Sequence, residues 1–267
     1  MSAATAGAAT EVALELRDVA FEWKKGVGVL DRLSLAVAPG ERLALLGPNG
    51  SGKSTALSLA AGLYRPSSGT IRWRFHGTGP LDPRDARGRF GVVFQHPSLD
   101  QQLSARDNLV LAGHCAGLSR ALINQRVADL LAVSGLAARA DDRVKTFSGG
   151  MRRRLDLARA LVPEPEALLL DEPTVGLDAE AFERFWQQVG ALARVTVIVA
   201  THRPEEAARC DRLIMIDRGR AVYDGTPEAT VRALGQDVLC LQAEHAPEIA
   251  ATIQARLDRD LNHYRQF

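Results

Sequence analysis

Apolar and polar residues alternate over Val12–Leu16 and again over Val19–Trp23, the period-two pattern of half-buried strands. Lys24–Gly28 reads as a turn, and Val29–Val37 as a further strand broken by Pro39-Gly40. Leu43–Leu46 is apolar without alternation, which suits a short strand covered on both faces of a parallel sheet. Thr55–Ala61 predicts a helix, Thr70–Phe75 an alternating strand after the turn Ser67-Ser68-Gly69, and 77–87, with Pro80 and Pro83, an exposed loop. Phe90–Phe94 predicts a strand that ends at Gln95.

Beyond this point the period changes. Ala105–Gly117, with Ser104 as N-cap, and Arg120–Ser134 predict helices, and another starts after Ser148-Gly149-Gly150 and runs to about Val162. Ala167–Asp171 is a second buried parallel strand, followed by a helix over Ala179–Ala193 and a strand over Val195–Ala200. A short helix follows Pro204. Arg212–Asp217 and Ala221–Tyr223, joined at Arg218-Gly219, suggest a hairpin. The tail predicts helix Pro227–Leu234, strand Val238–Gln242 and helix Ala246–Arg259. Strands and helices thus alternate around a parallel core, with an early antiparallel group and an all-helical insert over about 97–150: an α/β protein. The expected layout is a disordered tail over 1–10, a main domain over 11–225 and a C-terminal αβ extension over 226–267. No internal repeat is evident.

Composition narrows the partners. The 267 residues carry a formal net charge of +1, which argues against nucleic acid as the main partner, and 46% are hydrophobic, ordinary for a globular protein. The cysteines Cys115, Cys210 and Cys240 are widely spaced without a C-x-x-C pattern, as reduced thiols in cytoplasm would be. No apolar stretch approaches the roughly 18 residues of a spanning helix. Met1–Thr10 lacks the basic start and apolar core of a secretory signal. The expectation is a soluble intracellular protein whose membrane role, if any, comes through a partner.

Between the strand Leu43–Leu46 and the helix lies Gly47-Pro48-Asn49-Gly50-Ser51-Gly52-Lys53-Ser54, a fit to G-x-x-x-x-G-K-[ST] in the strand–loop–helix setting that motif requires. Its glycines let main-chain N–H groups approach an anion, and the following helix adds unpaired donors and a partial positive charge. Lys53 would reach the β- and γ-phosphates, and the Ser54 hydroxyl would coordinate Mg²⁺. Only Lys24, Lys25, Lys53 and Lys145 are lysines in this arginine-rich chain, so a lysine in the loop is itself informative: the loop suits a compact point charge. Asp171-Glu172 closes the apolar strand Ala167–Leu170 at a carboxyl edge, where ligands of parallel sheets bind. Asp171 would hold Mg²⁺, and Glu172 would polarise an attacking water. Ser148-Gly149-Gly150 before a helix offers a second anion-binding element, or simply a helix cap.

With these pieces in place the chain resembles the ABC-type ATPases. Phe147-Ser148-Gly149-Gly150-Met151 is similar to the LSGGQ signature, and Gly47–Thr55, Gln95, the signature, Ala167–Pro173, Gly176-Leu177-Asp178 and His202 follow in the family's order over about 12–225. Met151 replaces the usual glutamine, and Trp23 stands where a tyrosine usually stacks the adenine; Trp23 as a core residue is the alternative. The resemblance implies a P-loop NTPase (RecA-like) core with an antiparallel β subdomain and the inserted α-helical subdomain. It implies ATP and Mg²⁺ as cofactors, with Trp23, Gly47–Thr55 (Gly47, Pro48, Asn49, Gly50, Ser51, Gly52, Lys53, Ser54, Thr55) and Gln95 binding nucleotide. Ser54, Gln95 and Asp171 would face the metal; Glu172, His202 and Lys53 would carry catalysis. Ser148, Gly149 and Gly150 would cap the nucleotide of a second copy, with Asp178 at the interface of a head-to-tail homodimer.

The implied partner is an integral membrane permease, docked on the helical insert and the loop after Gln95, at the cytoplasmic face of the inner membrane. His96–Asp100, Met151–Arg154 and Thr174–Asp178 resemble the branch of daunorubicin-resistance and nodulation-factor exporters. The run Arg152–Arg154 suggests a solvated helix face with local ion pairs rather than a nucleic-acid patch. The segment past Gly225 is either regulatory or dimer-stabilising. The alternatives are a non-transport ABC ATPase acting on DNA or ribosomes, which usually shows tandem cassettes, coiled coils or zinc motifs absent here, and a binding module that does not turn over, against which Lys53, Asp171, Glu172 and His202 argue.

Overall fold

A computed structural model describes residues 13–24 and 26–234. Strands β1 (Leu14–Lys24), β2 (Val27–Val37) and β4 (Ser68–Trp73) form an antiparallel sheet in the order β2-β1-β4. A second sheet runs β5-β6-β7-β3-β8-β9, from β3 (Arg42–Leu46), β5 (Phe90–Val93), β6 (Ala167–Asp171), β7 (Thr196–Thr201), β8 (Arg212–Asp217) and β9 (Arg220–Gly225). Its strands pair in parallel except β9, which folds back antiparallel on β8 as a hairpin. The helices are α1 (Lys53–Ala60), α2 (Ala105–Cys115), α3 (Arg120–Val133), α4 (Gly149–Leu161), α5 (Ala179–Gly190) and α6 (Pro204–Ala207), with α7 (Pro227–Leu234) where the tail predicts it. Compactness divides the chain between Pro227 and Glu228. The predicted strand Val238–Gln242, helix Ala246–Arg259 and tail 1–10 lie outside the described residues.

Why the central strands do not alternate is visible in their neighbours. Leu43 and Leu45 of β3, Leu169 of β6 and Ile198 and Ala200 of β7 pack toward α1 and the antiparallel sheet. Ala44, Leu168, Leu170, Val197 and Val199 pack on the other face, against Phe182, Phe185, Trp186 and Val189 of α5. Successive side chains point to opposite faces and both faces are covered, so every position is apolar. The insert has its own core, with Leu109 of α2, Ile123, Val127 and Leu131 of α3, and Leu155 of α4 fully or nearly fully buried. Ser104, Ser119, Ser148 and Asp178 cap α2, α3, α4 and α5 through side-chain oxygens.

Two local expectations need correction. The two strands predicted over 12–23 are one strand, β1. Register shifts after Leu16 and Val19, with Asp18 at a φ of 49°, break the alternation without ending the strand. The segment 77–87 is not wholly exposed: Pro83 and Ala86 are buried, and the Pro83 carbonyl carbon lies 2.9 Å from where a Cβ on Gly62 would sit.

Candidate active site

The strand order places the carboxyl ends of β5, β6, β7 and β3 side by side. Those four ends lead directly into Gln95, Asp171-Glu172, His202 and the glycine loop. Asp171 is level with Ala200 of β7, and Leu46 with Thr201, so the loops leave the sheet at one height. Residues far apart in sequence thus converge on one edge, as in other open parallel sheets.

The loop's shape demands glycine at specific points. A Cβ on Gly47 would lie 2.2 Å from the Ile216 carbonyl oxygen, and one on Gly52, at a φ of 109°, would lie 2.6 Å from Leu30. Gly52 opens α1 with no side-chain cap, so the helix's first N–H groups are left for another acceptor. Among the described residues the Ser51 hydroxyl is buried without a partner. Lys53 is buried, and its ammonium donates to the carbonyls of Gly47 and Pro48, both at 2.8 Å. Burial pulls the Lys53 pKa down, while Glu172 and Asp171 hold it up.

Ser54 donates its hydroxyl to Asp171 Oδ1 at 2.8 Å. Burial pushes the Asp171 carboxyl up from its ordinary value; the Ser54 hydroxyl and Lys53 oppose this, and Glu172 adds to it. Gln95 Nε2 donates to Glu172 Oε2 at 3.0 Å, and His202 Nδ1 lies 3.1 Å from Glu172 Oε1. Each oxygen of this carboxylate therefore has a neighbour from an adjacent strand end. Glu172 itself sits at a φ of 43°, a left-handed conformation rare for a residue with a side chain.

A cleft of about 370 Å³ joins these groups, lined by Trp23, Asn49, Gly50, Lys53, Thr55 and Glu172 among others. Trp23 is 51% exposed, so it is not a core residue; its ring meets Tyr64 edge-on at 4.7 Å and Phe21 at 5.0 Å. The Lys53 ammonium, with unused main-chain donors beside it and the Asp171 and Glu172 carboxylates opposite, suits a triphosphate held with a cation. Ser148, Gly149 and Gly150 do not line this cleft. Gly149 instead borders a separate cavity of about 250 Å³ with Gln95, Arg153 and Leu177. Ser148 caps α4, its Oγ accepting from Met151 N at 3.2 Å. Asp178 caps α5, accepting from Ala181 N at 2.7 Å.

The arginine run departs from its expected solvated face. Arg153 and Arg154 are buried, and Arg153 donates to four main-chain carbonyls around the site. The signal was present in the spacing. With Ser148 as N-cap, Arg153 shares a helix face with Leu157 and Ala160, both core residues. The Glu206 carboxylate, for which the sequence gives no signal, is buried and accepts from both the N–H and the hydroxyl of Thr174.

Among the described residues no helix is long and apolar enough to cross a membrane. The ABC transporter family profile matches residues 30–175. The chain is 42% identical over 257 residues to the Nod factor export ATP-binding protein I of Paraburkholderia xenovorans (strain LB400), covering 91% of this chain and 83% of that one. Its fold matches cbiO1 from Clostridium perfringens, part of the ABC transporter complex cbiONQ, with a TM-score of 0.75 and 26% identity over 96% of this chain and all of the other. It also matches a dimeric ATP-binding cassette in a post-hydrolysis state bound to ADP and Pi, with a TM-score of 0.70 and 27% identity over 80% of this chain and 98% of that one. The chain belongs to the ABC transporter family, as an ATP-binding and ATP-hydrolysing subunit of the branch that holds the Nod factor export relative.

Proposed function

We propose that this chain powers export through a separate membrane permease, working as a head-to-tail homodimer on the cytoplasmic face of the membrane. The observation that supports this best is the division of the site. The glycine loop, Ser54–Asp171 pair and Glu172 cluster lie at one sheet edge, while Ser148–Gly150 open α4 and do not line that cleft, Gly149 bordering a second cavity that meets it at Gln95. A second copy's serine-glycine element completes the pocket. ATP then bridges two chains through charge-assisted contacts and favours the closed pair.

The metal-facing groups fit Mg²⁺. Ser54 and Asp171 offer hard oxygens 2.8 Å apart, the ligand type that Mg²⁺ takes alongside water and phosphate oxygens. Gln95 stands with Ser54 and Asp171 as a third holder. Bound there, Mg²⁺ would neutralise charge on the triphosphate. Lys53 holds the phosphates, Trp23 offers its exposed indole to the base, and Glu172 accepts a proton from the attacking water. Gln95 and His202 keep that carboxylate aimed. Positioning and electrostatics supply the rate, without a covalent intermediate.

The permease would seat a cytoplasmic helix in the groove of about 510 Å³ lined by Phe94, Ala112, Ala116 and Leu118, with Arg87 and Arg159 flanking it. That groove joins the helical insert to the residue preceding Gln95, so docking and the γ-phosphate side of the site share a segment. The relatives and structural neighbours are transporter proteins, and none favours the DNA or ribosome alternative.

The test is Ser148→Arg. This variant should bind ATP as the parent does yet stay monomeric with ATP in size-exclusion chromatography. Dimers formed as readily as by the parent would overturn the shared site.

A further inference from the structure

Buried guanidinium groups usually face a carboxylate; the one on Arg153 faces main-chain carbonyls. Its Nε donates to Pro173 O, Nη1 to Phe94 O, and Nη2 to Asp171 O at 3.1 Å and Glu172 O at 3.0 Å. Four of its contacts thus go to carbonyls at the ends of β5 and β6, and its compensating charge, Asp156, stands back at 3.8 Å. A planar fork of five donors can span such a set; a point charge cannot.

The held backbone includes one of the chain's left-handed non-glycine residues. Glu172 is left-handed at a φ of 43°. Such a conformation persists only where its surroundings fix it. Its N–H donates to Ala200 O at 2.8 Å and its carbonyl accepts from Arg153, so the peptide is fixed from both sides. The same guanidinium fixes Phe94, immediately before Gln95, and Gln95 is one of the two groups that aim the Glu172 carboxylate. Arg153 sits on α4, five residues after the cap Ser148.

We propose that Arg153 is a positioning residue for hydrolysis: it locks the Glu172 and Gln95 backbones into register and ties them to the helix whose N-terminus meets the partner's nucleotide. This rests on the reading of Glu172 as the proton acceptor. Arg153 touches no reacting atom. Its effect belongs to the turnover step, and closure of the pair reaches Glu172 through α4 and this guanidinium.

The experiment uses the full chain and compares Arg153→Lys, Glu172→Gln and the double variant by single-turnover ATP hydrolysis and by calorimetric ATP binding. Lysine keeps the charge and loses the fork. The expected result is a kcat lower by about 10- to 100-fold with ATP affinity and KM nearly unchanged, and no further loss when Arg153→Lys is added to Glu172→Gln. Normal kcat in Arg153→Lys would overturn the proposal, as would a defect confined to ATP affinity, or the same fold loss in both backgrounds. Should the lysine variant fail to bind ATP stoichiometrically, Arg153→Gln, whose amide still reaches part of the carbonyl set, is read the same way. Parent-like turnover in Glu172→Gln would instead sink the proton-acceptor reading, whatever Arg153 does.

Discussion

Glu172 is the proposed proton acceptor, and its surroundings hold its side chain in place from two sides. One oxygen meets Gln95 and the other His202, and the main chain beneath it is twisted into a rare region. A glutamine in its place keeps the shape, turns one of the two accepting oxygens into an N–H donor, and removes the proposed proton acceptor. Glu172→Gln should therefore bind ATP within a few-fold of the parent and hydrolyse it about 10²- to 10⁴-fold more slowly. Phosphate release under saturating MgATP checks this; a rate within a factor of two of the parent would move the acceptor role elsewhere.

At the scale of elements, caps and faces explain both what the sequence disclosed and what it hid. The glycine loop, the buried strands and the serine-capped helices could be read directly, because each follows a local rule: φ freedom, period, or a side-chain oxygen at a helix start. The sequence pattern splits β1 into two strands because its bulges at Arg17–Ala20 shift the period, a feature decided by pairing with β2 and β4. Arg153 was read as solvated because charge suggests water, whereas its place on the face shared with Leu157 and Ala160 points inward. Elements also set thiol reactivity. Cys210, between α6 and β8, is buried, and burial pushes its thiol up to about 12. At pH 8 such a thiol is overwhelmingly protonated and so a poor nucleophile. Cys115, at the end of α2, is exposed. Alkylation at pH 8 followed by peptide mass mapping should modify Cys115 and spare Cys210 until denaturant is added. Comparable native labelling of the two would contradict the burial.

The whole molecule is organised by its mixed strand order. Neighbours β5, β6, β7 and β3 come from four distant stretches of chain, so their ends meet only in the completed sheet. The site could be inventoried from the sequence because each part has a spacing, but the Glu172 contacts with Gln95 and His202 and the fork of Arg153 depend on which strands are adjacent.

Ser148 does not line its own chain's cleft, and on the proposed shared pocket two damaged copies would make one sound catalyst. Mix the chain bearing Ser148→Arg with the chain bearing Glu172→Gln. In the heterodimer, one interface unites the first copy's intact glutamate with the second copy's intact serine, while the other interface collects both lesions. Neither preparation alone should turn over ATP appreciably, yet mixtures should recover part of the parental activity, to the extent that one intact pocket lets the mixed pair close. Such complementation between inactive subunits, titrated against mixing ratio, would count the chains that each pocket requires.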